Sequence, residues 1–573
     1  MHYERRHLPG DLLAGVIVAT LLIPQAMAYA ILAGLPPQVG LYASLLPLAV
    51  YALLGSSRVL SVGPSALLSL LILTEVAAWA EPGSPRFLAF AMATALLVGV
   101  MQMAMGFARL GVLTNFLSQP VLSGFTSAAA CLIALSQVPS LLGISLPPTR
   151  RPHGALVEWV RAMPEVHGPT AVISLASVLL LLAFRVLPPR VFAKRKSPVS
   201  ALTQSLSKIG PLAVVILGTL FAATFQLGER NGVEIIGEIQ GGLPGFTFPS
   251  LAASEFLPLV PLAFTISFIG FLENITIGKS LAAKRRQKID SNQEFIALGA
   301  ANLAAGVTGG YPVSGSFARS TVNFAAGAHT GLASLITVAL MGVATLFLMP
   351  LFHHLPRAVL AAIILVAITG LMDFRMPCRL WRYNKADAAA LILTFVSVLV
   401  LGITKGILIG VASTIVLHLW RTSRPHMAVA GRVPGTGHFV NVLHYKVQTL
   451  PHVLMLRIDE SLYFANSKYV EDYVLSAVAE RPRLRHFVLI CTAVNFVDAS
   501  ALETLIDLRA RLRDAGIKLY LTEVKKPLMD RLADTEFMKT LGPKRVFFST
   551  VEAYEHLADP SLHEAANYTE SST

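Results

Sequence analysis

Charge is what this sequence has least of. Acidic and basic residues make up 14% of its 573 positions against 54% hydrophobic, with a mean hydropathy of +0.63. So little charge excludes an ordinary soluble globular protein, which carries about 25%. Cysteine is scarce too: Cys131, Cys378 and Cys491 lie far apart, without the spacing of a metal site or a disulfide framework. The sequence also lacks a Walker loop, a metal-ligand cluster and any nucleophile, base and oxyanion arrangement. Neither enzymatic activity nor a cofactor or metal is expected. The 46 Lys plus Arg exceed the 33 Asp plus Glu by 13. In a soluble protein that excess would suggest nucleic acid, but many of these residues sit in short loops, where the positive-inside rule accounts for them. No nucleic-acid partner is expected.

What the chain has in abundance is apolar runs of helix-spanning length, from Asp11 to Trp420, after which the composition becomes that of a soluble domain. The runs predict about fourteen membrane segments: 11–31, 37–55, 63–79, 87–107, 119–142, 170–187, 209–227, 257–281, 293–308, 314–326, 330–350, 355–373, 386–403 and 405–421. Threaded from a cytoplasmic start, these put Arg190, Lys194, Arg195 and Lys196 inside, with Lys284, Arg285, Arg286 and Lys288, and with Arg375, Arg379, Arg382 and Lys385. Thr149-Arg150-Arg151 falls outside, against the rule. An even count leaves the polar C-terminal part in the cytoplasm. The domains are therefore a membrane part over 1–425, a linker over 426–439, a small α/β domain over 440–560 and a disordered tail over 561–573.

The third and tenth segments each open at a Gly/Pro/Ser turn, Val62-Gly63-Pro64-Ser65 and Pro312-Val313-Ser314-Gly315, and neither has a clean apolar core. Interrupted segments at matching places in two halves mark a transporter binding site, because half-helix ends bring partial charge deep into the membrane. Seven segments separate the two, which predicts two seven-segment repeats of inverted topology. The tenth segment also carries Arg319, a charge that costs ~3 kcal/mol or more at mid-bilayer and so asks for a reason. A guanidinium beside the free N–H groups of a first helical turn describes a socket for an anion. Backbone donors near Ser65 and Ala66 and near Ser316, Phe317 and Ala318, with the hydroxyls of Ser65 and Ser316, complete it. The other reading of Arg319 is a guanidinium that caps carbonyls or pairs permanently with a carboxylate. Gln25 and Tyr29, four apart on one helix face near Pro24, either line the same cavity or bridge and pack within the bundle. Glu273, a carboxylate within the eighth segment, either carries a proton or forms an ion pair with Arg319. Thr276, Asn302 and Asn323 read as interhelical hydrogen-bond groups.

Leu22-Ile23-Pro24-Gln25-Ala26-Met27-Ala28-Tyr29-Ala30 with Leu32-Ala33-Gly34-Leu35-Pro36-Pro37, Ser61-Val62-Gly63-Pro64 and Gly315-Ser316-Phe317-Ala318-Arg319-Ser320-Thr321-Val322-Asn323 resemble the sulfate permease (SulP) anion transporters over nearly the whole chain, which ends in a STAS-like domain. The resemblance implies a core of segments one to four and eight to eleven, a gate of five to seven and twelve to fourteen, a homodimer and an elevator motion. It implies Arg319 at the anion site, Gln25 and Tyr29 as pocket lining, and Glu273 in cation coupling, with a proton favoured over sodium. Ala318 stands where many relatives have serine. In the STAS-like part, Val497-Asp498-Ala499-Ser500-Ala501 resembles a turn whose serine is phosphorylated in anti-sigma antagonists, but Ala501 replaces the glycine. Ser500 reads more simply as a helix N-cap, with Glu503 completing a capping box. The expected function is proton-coupled sulfate uptake across an inner or plasma membrane. The alternatives are C4-dicarboxylate or bicarbonate transport, or anion sensing signalled through the STAS domain to a cytoplasmic partner. The expected partners are a small inorganic or organic anion, protons, membrane lipid and a second copy of the chain.

Overall fold

The computed structural model describes residues 4–112, 118–144, 163–192, 199–239 and 241–559, which form two compact units, 1–414 and 415–573. Thr149-Arg150-Arg151, the basic residues 194–196 and the tail over 561–573 lie outside the described residues.

A helix or helix pair underlies every apolar block. In the first half these are α1 (Leu8–Leu32), α2 (Pro37–Tyr42), α3 (Leu46–Leu54), α4 (Ala66–Val76), α5 (Pro85–Phe107), α6 (Gln119–Leu142), α7 (Gly168–Phe192) and α8 (Val199–Thr224). In the second they are α9 (Val260–Lys284), α10 (Ser291–Val307), α11 (Phe317–Ala325), α12 (Leu332–Val343), α13 (Arg357–Ile368), a short α14 (Met376–Tyr383), α15 (Lys385–Leu401) and α16 (Ile403–Ser423). Among the described residues, seven helical stretches are long and apolar enough to cross a membrane by length and composition. Two blocks are less regular than expected. The second divides into α2 and α3 around Ala43–Leu45, and the eleventh loosens into a π stretch over Ala344–Leu348 before Pro350, which has no N–H to return to the preceding turn.

Small residues let the helices of the membrane unit approach closely. A Cβ added at Gly99 of α5 would sit 2.8 Å from the Gly299 carbonyl oxygen of α10, so that pair packs backbone to backbone. Buried polar groups fix the joints. Asp11, fully buried in the first turns of α1, accepts the N–H of His329 at 2.6 Å and of Thr330 at 3.1 Å, and the Thr330 hydroxyl at 2.7 Å. Glu294 of α10, also fully buried, accepts Tyr51 Oη at 2.6 Å, Asn274 Nδ2 at 2.8 Å, Ser56 N and Oγ at 2.8 Å and Ser57 N at 3.0 Å. Five donors around one carboxylate satisfy nearly every lone pair that burial would otherwise leave exposed to low dielectric.

The second unit is a mixed sheet of β3 (Met427–Arg432), β4 (Phe439–Asn441), β5 (Val453–Ile458), β6 (His486–Ile490), β7 (Lys518–Thr522) and β8 (Val546–Phe547), in the order β4-β3-β5-β6-β7-β8. β5 to β8 run parallel, and β3 lies antiparallel to both β4 and β5. Met427–Arg432 falls in the stretch expected to be a linker, and that expectation is corrected: Met427 to Val429 pair with β5, Ala430 to Arg432 pair with β4, and the strand belongs to the sheet. The helix Ala499–Asp514 also begins differently from expectation. Its N-cap is Asp498, whose Oδ1 accepts the Ala501 N–H at 2.8 Å while Oδ2 accepts that of Phe464 at 2.9 Å. Ser500 is instead an exposed residue of the first turn, and Glu503 is too far along to close a capping box. A carboxylate is the better cap here because it accepts more strongly than a hydroxyl and meets the positive end of the helix dipole. Asp498→Ala should therefore destabilise the helix start by ~1 kcal/mol. Amide hydrogen exchange over residues 499–503 should accelerate in that variant and stay near the native rate in Ser500→Ala.

Candidate functional site

Two short helices meet at the centre of the membrane unit. β1 (Val62–Gly63) pairs antiparallel with β2 (Ser314–Gly315), Val62 opposite Gly315 and Gly63 opposite Ser314, and the Ser316 N–H adds a bond to the Ser61 carbonyl at 3.1 Å. A helix starts just beyond each strand: α4 after Pro64 and the extended Ser65, α11 after the extended Ser316. With 11 and 9 residues, they rise only about 16 and 14 Å, far short of a bilayer core. Helix geometry leaves their first-turn N–H groups without intrahelical partners. Ser65 Oγ accepts that of Leu68 at 3.4 Å, whereas Ser316 caps nothing with its side chain.

The crossing is held by side chains that imitate backbone. Asn302 Oδ1 accepts Val313 N at 2.8 Å and its Nδ2 donates to Val313 O at 3.2 Å, so a single amide occupies the place of a neighbouring strand. Gln102 steadies that amide, accepting Asn302 Nδ2 at 3.0 Å and donating to Ser267 O at 3.1 Å. From α11, Asn323 Nδ2 donates to Val59 O at 2.9 Å and Ser320 Oγ accepts Ser61 N at 2.9 Å. Asn302 and Asn323 thus act on the two turns, a more specific role than the interhelical one expected of them. Gln102 and Glu294 hold the surrounding segments in place and are marked only weakly by the sequence, as polar residues within apolar helices.

Arg319 projects into this crossing and is completely buried. Its Nη1 donates to Pro64 O at 3.0 Å, while Nε and Nη2 have no partner. Among the described residues it forms no ion pair with Glu273, so the permanent pair weighed from sequence is absent and the carbonyl-capping reading holds for one nitrogen of three. Glu273 is half-buried and accepts the Ser314 hydroxyl at Oε2, 2.9 Å away; Ser314 Oγ also lies 3.2 Å from Ser65 Oγ. Glu273 stands close enough to Arg319 for the two charges to be felt, the Tyr29 and Tyr311 hydroxyls lie near the same guanidinium, and Tyr311 Oη is 3.0 Å from Ser69 Oγ. Gln25 is buried with its Oε1 unpartnered. Ser316 is half-buried, and Phe317 and Ala318 are exposed, so the start of α11 is open on one side; Ser65 and Ala66 are buried at the start of α4. The fold therefore brings Arg319, Glu273, Tyr29 and Ser65 to one place, with two unpartnered guanidinium nitrogens and two helix N-termini beside them. Such a group of donors suits a small oxyanion, which a guanidinium edge binds through two parallel N–H groups.

The family model of the Sulfate permease family matches residues 8–394, and that of the STAS domain matches residues 444–553. The chain belongs to the sulfate permease family. It is 35% identical over 556 residues to a probable sulfate transporter of Arabidopsis thaliana, covering 95% of this chain and 80% of that one. A probable sulfate transporter of Mycobacterium tuberculosis is 34% identical over 555 residues, 96% of each. The murine Solute Carrier 26 family member A9 anion transporter, solved in the inward-facing state, superposes with a TM-score of 0.88 at 25% identity over 97% of this chain and 92% of its own. The transmembrane domain of a cyanobacterial bicarbonate transporter shares the fold at a TM-score of 0.58 and 23% identity, covering 72% of this chain and 98% of that domain.

The crossing in this member of the sulfate permease family has a close approach at Gly315, where an added Cβ would stand 2.6 Å from Asn274 Oδ1. Asn274 cannot readily yield, since its Nδ2 is bound to Glu294. Gly315→Ala should therefore cost ~1–3 kcal/mol and part β1 from β2. A fall in the thermal unfolding temperature of the detergent-solubilised protein checks this; an unchanged temperature would mean the crossing is looser than described.

Proposed function

We propose that the chain is a secondary active transporter, not an enzyme, and imports sulfate together with protons. The observation that carries this is the fully buried Arg319 with Nε and Nη2 unpartnered beside two helix N-termini. Relatives named as sulfate transporters support sulfate as the cargo. A bicarbonate transporter of the same fold supports bicarbonate as the second reading, and a helix-dipole socket would also take a C4-dicarboxylate. In this reading the anion lies between the starts of α4 and α11. Arg319 and the N–H groups near Ser65 and Ala66 and near Ser316 to Ala318 donate to it, and Gln25 and Tyr29 line its pocket. Fourteen segments cross the membrane as two inverted repeats, with the N-terminus and STAS domain cytoplasmic. A core carrying the site moves past a gate like an elevator, in a homodimer. Ser500 remains available for modification, and the STAS domain for a cytoplasmic partner.

Protons enter through Glu273. While Glu273 is ionised, the Ser314 hydroxyl donates to it and so cannot donate to Ser65. Once Glu273 is protonated it donates to Ser314, whose own proton turns to Ser65 Oγ. The Ser65 hydroxyl is then free to donate to the anion. A proton thus removes a negative charge beside the anion and supplies a donor to it. The gain is also electrical: against a negative-inside membrane each uncompensated charge costs ~2.3 kcal/mol per 100 mV, so every accompanying proton offsets that amount for sulfate.

Proteoliposome uptake of labelled sulfate, with and without an inward proton gradient and with succinate, fumarate, bicarbonate and chloride as competitors, tests the reading. Uptake should rise with the gradient. No uptake of any small anion by folded protein would favour a sensor. Arg319→Ala removes two charge-assisted donors worth ~1.5–3 kcal/mol each and should weaken sulfate binding by roughly a hundredfold or more. Glu273→Gln should retain binding while uptake loses its dependence on the gradient. Ser314→Ala should blunt that dependence without abolishing binding, and a native pH response in this variant would exclude the relay.

A further inference from the structure

The connection between α13 and α15 carries cations that the fold leaves without counter-ions. Arg375, Arg379 and Arg382, spaced four and three residues apart, fall on one stripe of α14 and its N-cap. Cys378 and Trp381 form the adjoining stripe, and Phe374 just before the N-cap continues its spacing. All six are exposed, Phe374 at 70% and Trp381 at 55%, with Tyr383 beside them at 87%. Nothing in α14 is buried. The nearby carboxylates are already engaged: Asp373 Oδ1 accepts the N–H groups of Arg375 and Met376 at 3.0 and 3.1 Å, and Asp387 Oδ2 accepts Asn384 Nδ2 at 3.1 Å. Among the described residues, the Arg379 guanidinium bonds only to the Met376 sulfur, and no ion pair reaches Arg375, Arg379, Arg382 or Lys385. Cys378, Arg379, Arg382 and Tyr383 line an open depression of about 520 Å³. The segment is nevertheless fixed at both ends, Asp373 N donating to Ser127 Oγ of α6 at 3.3 Å and Asn384 Oδ1 capping α15 through Ala386 N at 3.0 Å.

A rigid helix with an aromatic stripe beside an arginine stripe, joining two apolar helices, matches the layered chemistry of a membrane surface. Aromatic rings favour the headgroup level, and guanidinium forks fit phosphate oxygens. We propose that α14 lies in the headgroup layer and that Arg379 and Arg382 hold the phosphate of an anionic phospholipid, with Phe374 and Trp381 set into the acyl boundary. Net negative charge on the lipid is required, because the ammonium of a zwitterionic headgroup offsets the phosphate that the arginines seek. The loop is one of the basic loops that the sequence gathers on one side, and the cytoplasmic leaflet is the anionic one.

The test uses the full-length protein, delipidated in detergent and titrated with dioctanoyl phosphatidylglycerol, dioctanoyl phosphatidylcholine or inorganic phosphate, with bound species counted by native mass spectrometry. Phosphatidylglycerol should be retained over phosphatidylcholine by roughly five-fold for each engaged arginine. Arg379→Gln/Arg382→Gln should lose most of that preference. Equal retention of the two lipids by the unaltered chain, or an undiminished preference in the variant, would overturn the proposal. Displacement of phosphatidylglycerol by millimolar inorganic phosphate would overturn the lipid source and assign the depression to a free anion. The comparison on the unaltered chain stands whether or not the variant folds.

Discussion

The membrane unit depends on keeping one guanidinium dry and under-satisfied. Removing a cation from water without a full set of partners costs several kcal/mol, and Arg319 has one bond where it has donors for five. It cannot escape by rotation of α11. Its neighbour Ser320 and the residue one turn on, Asn323, are tied to Ser61 and Val59 across the crossing. The first-turn N–H groups of the same helix add positive potential where the guanidinium is already adverse. Each feature alone is destabilising, and the anion proposed to bind there would relieve both. An anion at a hundred times its Kd would return ~2.7 kcal/mol to the folded state.

The other buried charges are treated in the opposite way. Among the described residues, Glu294 accepts from five donors and Asp11 from at least three, drawn from backbone and side-chain groups. Those bonds reach across the chain, from α10 to the end of α3 and from α1 to the loop after α11, so the carboxylates act as joints. What separates these joint carboxylates from the charge proposed to bind the anion is therefore satisfaction, not burial. Asn302 belongs with the joints: its bonds hold Val313 while leaving the N–H groups of α11 untouched.

Much of this was legible in the sequence because membrane solvation is unforgiving. Arg319 within an apolar run, and two Gly/Pro/Ser turns seven segments apart, stand out against a hydrocarbon background, and the coordinates place both turns in one two-stranded contact. The joints were less legible. Glu294 lies near the start of α10 among Asp290, Asn292 and Gln293, and nothing in that polar cluster says which side chain turns inward. The first strand of the STAS sheet was hidden by its C-terminal neighbours, since Met427–Arg432 runs into Val433-Pro434-Gly435-Thr436-Gly437 and the whole reads as a linker. Asp498, not Ser500, caps its helix, a shift of two residues set by the Phe464 N–H that the carboxylate also holds.

The separation of Glu273 from Arg319 is what makes a coupled reading physically coherent. Had the two formed a salt bridge, the pair would have entered the low-dielectric core as a nearly neutral unit, and an arriving anion would have had to break it before gaining anything. Instead the carboxylate is turned to Ser314, and the guanidinium edge stays open. An ionised Glu273 near an empty socket repels an oxyanion through the same low dielectric that strengthens Arg319's pull. Neutralising it with a proton removes the repulsive member of that opposed pair and leaves the attraction. In that reading anion affinity and proton affinity rise together, since linkage makes the coupling reciprocal, and the proposed cargo and proton stabilise the same loaded state without ever touching.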